Sequence, residues 1–208
     1  AAAVVIGFLL TAVRAWTGLE TPRGPVLGLL ALLWLAARLA AVLAPYPLFA
    51  VLALLLLPAV AFFLLRVLIR AGNRRSIPLI SLLLAMALAN AVFHLSVLGL
   101  IAVPAMSALY AELALILMVI SIMTGRVVPM FTKNVTPGLV INVSRRFELT
   151  LLTVTAATLA LWVLGAPAPL VGVLSAVAAV LHAARLWQWH PRVTLKRHPS
   201  NDAIAIAG

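Results

Sequence analysis

Seven apolar stretches follow one another along the chain, at Ala1 to Trp16, Pro25 to Ala44, Pro47 to Ile69, Ile77 to Ile101, Pro104 to Thr124, Phe147 to Leu164 and Pro167 to Trp187. A helix needs about 20 mostly apolar residues, rising ~1.5 Å each, to cross a bilayer. All but the first reach or approach that length, and the first has the length of a cut helix. Between them lie Thr21-Pro-Arg-Gly-Pro, Pro45-Tyr-Pro, Ala71-Gly-Asn, Gly99 to Pro104, Pro137-Gly and Gly165-Ala-Pro-Ala-Pro, which are turn formers. Pro25, Pro47, Pro104 and Pro167 stand near helix starts, where a missing backbone donor leaves no bond unmade. The pattern predicts an all-α polytopic transmembrane bundle of seven segments over residues 1–190, followed by a tail, 191–208, too short to cross.

The positions of the basic residues test this reading independently, because loops on the cytoplasmic side collect Lys and Arg. Arg14 and Arg23 flank the first connection; Arg66, Arg70, Arg74 and Arg75 the third; Arg126, Lys133, Arg145 and Arg146 the fifth; Arg185, Arg192, Lys196 and Arg197 the tail. The turns at Pro45, Gly99 and Gly165 carry none. Seven crossings, with the start of the chain outside and the tail in the cytoplasm, satisfy both patterns.

Of the 208 residues, 65% are apolar and 9% charged, against about 25% charged in ordinary globular domains. A soluble domain, a disordered tail and a coiled coil are excluded, and membrane lipid is the expected surrounding. The 15 basic and 4 acidic residues are read as the bias that orients membrane helices, with no nucleic-acid partner expected. The absence of cysteine removes disulfides, thiolate nucleophiles and iron–sulfur clusters. Ala1 already lies inside an apolar run, so the chain is expected to be a piece of a longer protein.

Ionisable groups in hydrocarbon are costly, and each needs a partner, a cavity or a ligand. Arg38 lies six residues before the outer end of segment two, His94 seven before that of segment four, and Glu112 eight after the outer start of segment five. These positions correspond to depths of about 9, 10 and 12 Å. Asn90 precedes His94 by one turn, on the same face. One reading is a structural ion pair between Arg38 and Glu112, with Asn90 bonding a neighbouring helix and His94 a satisfied core histidine. A second is an outer-half site in which His94 binds a metal or haem iron, supported by Glu112 or Asn90. A third is a proton or ion path.

At the inner edge, Trp187, Trp189, His190 and Arg185 form an interfacial pattern that serves as an anchor. His182, a turn inside the boundary, is a candidate ligand for a second cofactor, and Arg126 and Arg185 are candidates to hold carboxylates such as haem propionates. In Gly125-Arg-Val-Val-Pro-Met-Phe-Thr132, Gly125 and Pro129 are expected to end segment five and open a rigid, irregular connection running past Lys133. No set of catalytic residues is read from the sequence.

Four stretches resemble the NnrS family of bacterial inner-membrane proteins, up to about Trp189: Gly7-Phe-Leu-Leu-Thr-Ala-Val-Arg-Ala-Trp-Thr-Gly18; Asn73-Arg-Arg-Ser-Ile-Pro78 leading into Ala87-Leu-Ala-Asn-Ala-Val-Phe-His94; Gly125 to Asn134; and Leu181-His-Ala-Ala-Arg-Leu-Trp187. The resemblance implies a haem- and copper-containing protein of the nitric oxide response, with nitric oxide as a small-molecule ligand and further membrane helices on both sides of this region. Haem would be held by His94 or His182. Copper would need imidazole or Met ligands, and Met118 and Met123, five apart, share a face poorly.

Overall fold

The structure, a computed structural model, describes residues 2–72, 77–136 and 138–190. The expected tail and the Asn73 to Ser76 part of the second motif lie outside them. Seven helices make up the described chain: α1 (Ala2–Thr17), α2 (Pro25–Leu43), α3 (Tyr46–Arg70), α4 (Ile77–Val97), α5 (Ala105–Val135), α6 (Arg145–Val163) and α7 (Ala168–Gln188). There is no strand among the described residues. The six helices from α2 to α7 are long and apolar enough to cross a membrane, and α1, with 16 residues, is shorter. The protein is an all-helical, multi-pass membrane bundle.

Two compact units divide the chain within α5. In the first, residues 1–119, α3 is the central helix, packed against α1, α2 and α4. Its Leu57, Val60, Ala61, Leu64 and Leu68 are buried, as are Leu79, Leu83 and Met86 of α4. Pro58 lies inside α3; lacking an N–H, it leaves the Leu54 carbonyl without its intrahelical donor. In the second unit, residues 120–208, the rest of α5 is joined by α6 and α7. Ser144 caps α6, its hydroxyl accepting from the Phe147 amide at 3.1 Å, so the helix starts two residues before the apolar run does.

Two boundaries differ from those expected by about a turn or more. Segment four stops at Val97 and not at Ile101, because Gly99 takes φ 72° and the Leu100 amide turns back to the Leu95 carbonyl at 2.9 Å. That is the left-handed glycine stop, which only glycine enters without strain. Segment five was expected to end at Thr124, but α5 runs through Gly125 and Pro129 to Val135. Pro129 removes one hydrogen bond, to the Gly125 carbonyl, without ending the helix. The irregular connection therefore begins ten or so residues later, at Thr136, and includes Gly138 at φ 86°.

Candidate functional site

In the first unit, Arg38 of α2, Asn90 and His94 of α4 and Glu112 of α5 all line one cavity of about 320 Å³. Phe49 of α3 and Phe93 of α4 form part of its apolar wall. The volume is at the lower end of the range for ligand pockets, roughly 300–1,000 Å³. Trp34, Arg38 and Leu109 line it and are exposed, so the cavity opens to the surface of the unit.

His94 is the most enclosed of these polar residues, 2% exposed. Three aromatic rings surround it: Phe49 edge-on at 5.1 Å, Phe93 edge-on at 5.3 Å and Tyr46 tilted at 5.6 Å between centroids. The Tyr46 hydroxyl lies 2.8 Å from Nδ1. If Nδ1 carries the proton, Tyr46 accepts it and Nε2 keeps its lone pair; in the other tautomer Tyr46 donates and Nε2 is an N–H. Either way the bond fixes the ring plane. Tyr46, first residue of α3, was missed in the sequence because it lies in a two-proline turn that looked like a connection.

Asn90 donates from Nδ2 to the Ala53 carbonyl of α3 at 3.4 Å, beside the carbonyl that Pro58 deprives of its donor. Arg38 and Glu112 share the cavity but form no ion pair with each other. The first of the three readings, an Arg38–Glu112 ion pair, is thus not formed, and both side chains line the cavity. Their helices carry them to the same recess without bringing them within 4 Å.

In the second unit, Arg185 of α7 is 2% exposed. Its Nε and Nη2 donate to the two carboxylate oxygens of Glu148 on α6 at 2.9 and 2.8 Å, and its Nη1 donates to the Ser121 carbonyl of α5 at 2.9 Å. The Trp189 ring stacks on the guanidinium at 5.1 Å. A Cβ on Gly125 would overlap Nη2 and lie 2.8 Å from Cζ, so the glycine is what lets the guanidinium lie against α5. Arg185 is therefore engaged by an internal carboxylate and not presented to one from a ligand. The sequence offered a signal for this: Glu148 is one of only four acidic residues in the chain and stands in the first turn of its helix.

His182, one turn before Arg185, places Nε2 3.1 Å from the Thr155 hydroxyl. The Thr155 hydroxyl also lies 2.8 Å from the Leu151 carbonyl; when its proton goes there, His182 Nε2 is the donor and Nδ1 keeps the lone pair. Arg126 is half-buried on α5, and His190 is exposed beyond α7. Among the described residues no three His, Cys, Asp or Glu side chains gather as a metal centre would require.

No curated protein and no solved structure matches the chain. A family model does: the one described as NnrS protein matches residues 1–199, and the chain belongs to the NnrS family.

Proposed function

We propose that this protein binds haem in the bacterial inner membrane and acts in the response to nitric oxide, with His94 as the iron ligand. The observation that carries the reading is the His94 ring, buried among three aromatics, fixed through Nδ1 by Tyr46 and lining a cavity. A histidine iron ligand needs its second nitrogen oriented by a hydrogen bond, and Tyr46 supplies it by accepting the Nδ1 proton. Arg38, in the same lining and without a carboxylate partner among the described residues, takes the propionate-binding role expected from the sequence for Arg126 and Arg185. Phe49 and Phe93 exclude water from the ring. Bound haem would supply an iron position open to a diatomic gas. Among the described residues the cavity offers one imidazole to iron, and no three His, Asp or Glu side chains gather there for a second metal.

Purified protein is expected to show a Soret band that shifts with nitric oxide. His94→Ala should abolish the band, and Tyr46→Phe should keep it with weaker haem retention, by about ten- to hundredfold as for other partners that orient a metal-bound histidine. A full Soret band in His94→Ala would end the reading.

A second reading rests on Glu112, which lines the cavity without pairing with Arg38: proton- or ion-coupled permeation. A pH-dependent flux into vesicles, lost in Glu112→Gln and unaccompanied by a chromophore, would favour it.

The proposed orientation has its own test, aided by a chain with no cysteine of its own. A single Cys at Ala102 is expected to react with an impermeant maleimide from the periplasmic side, and one at Ala71 only after permeabilisation. Labelling of both from one side would overturn the topology.

A further inference from the structure

At the ends of α2 and α3 remote from His94, two adjoining cavities open among arginines. The first, about 290 Å³, is lined by Arg14 and Arg23 with Leu10 and Leu27. The second, about 310 Å³, is lined by Arg66 and Arg70 with Phe63 and Val67. Glu20, Thr21 and Pro22 line both, so the two recesses share a wall. Glu20 is paired with Arg23 at 2.6 Å. Arg14, Arg66 and Arg70 form no ion pair among the described residues, and Arg66 lies over the Phe62 ring at 5.6 Å. Among the described residues the site therefore holds three guanidinium groups without a carboxylate partner, beside apolar walls at the ends of hydrophobic helices.

We propose that these recesses together bind the phosphate headgroup of an anionic phospholipid. A guanidinium presents a planar pair of donors that fits phosphate oxygens, and basic recesses between membrane helices are where such headgroups are held. The walls decide between a lipid and a free phosphate ion. Leu10, Leu27, Phe63 and Val67 give acyl chains a surface to lie on, which an inorganic dianion would leave unused. The inference is independent of the haem reading, because none of these residues lines the His94 cavity.

The test is native mass spectrometry of the purified protein in mixed micelles holding equal phosphatidylglycerol and phosphatidylcholine. The wild type is expected to retain phosphatidylglycerol in preference. The combined variant Arg14→Gln, Arg66→Gln and Arg70→Gln should lose about tenfold or more of that retention, as three near-surface cations would contribute, with phosphatidylcholine unchanged. The control Arg145→Gln with Arg146→Gln, which removes two exposed charges elsewhere, should retain phosphatidylglycerol like the wild type. Should the combined variant fail to fold, the three single variants carry the same test, each losing a part of the preference. Equal retention of the two lipids by the wild type, or an equal loss in the control, would overturn the proposal. So would displacement of phosphatidylglycerol by millimolar inorganic phosphate, which would mark a site for the free ion.

Discussion

Replacing Glu148 by alanine is expected to destabilise the protein by about 3 kcal/mol, because it leaves the Arg185 guanidinium buried without its counter-ion. Loss of one partner of a buried pair generally costs about 3–5 kcal/mol; the lower end applies because the Glu148 side chain is 25% exposed while that of Arg185 is 2% exposed. Two of the three hydrogen bonds of the guanidinium go to Glu148, and the remaining one, to the Ser121 carbonyl, cannot neutralise its charge. Denaturation in detergent, followed by helicity, measures the loss. The double variant Glu148→Met with Arg185→Met should recover most of it, since apolar residues of similar volume replace a buried pair at little cost. If the double variant is as unstable as Glu148→Ala, packing and not charge holds these helices.

Gly125→Ala is expected to be the second most damaging change, by about 1–3 kcal/mol, the range for an overpacked site. In an ordinary helix the same change would stabilise by about 1 kcal/mol, so the sign itself is informative. The added methyl meets the end of a flexible side chain, which elsewhere would swing aside. Here the guanidinium is pinned by Glu148, by the Ser121 carbonyl and under the Trp189 ring, and moving it breaks those bonds. In an Arg185→Met background the obstacle is gone and Gly125→Ala should become neutral or stabilising. A stabilising effect in the wild type, by the same unfolding measurement, would show that Arg185 is free to move.

The seven helices and the shared lining of Arg38, Asn90, His94 and Glu112 were legible in the sequence for a geometric reason. Depth along a membrane helix is counted at ~1.5 Å per residue, and the alternating arginines say from which end to count. What depth cannot give is azimuth, the direction in which a side chain leaves its helix. Arg38 and Glu112 lie at one level without meeting, and nothing in their spacing could show that. Tyr46 was invisible for a related reason, since its pairing with His94 depends on α3 lying beside α4. The end of α5 was misread because Gly and Pro were both weighed as breakers. In the structure Gly125 is a clearance for a side chain from α7, and Pro129 forfeits one bond in a helix that continues to Val135.

The length of α5 sets a further constraint. Its 31 residues rise about 46 Å, half as much again as a hydrocarbon layer of roughly 30 Å. To hide all of it in lipid would require a slant of about 50°, beyond the 0–40° found for membrane helices. Its final turns hold Arg126, Lys133 and Asn134 and no acidic residue, a composition suited to the headgroup zone. Thinning or thickening the bilayer is therefore expected to change how many of those turns lie outside the hydrocarbon layer.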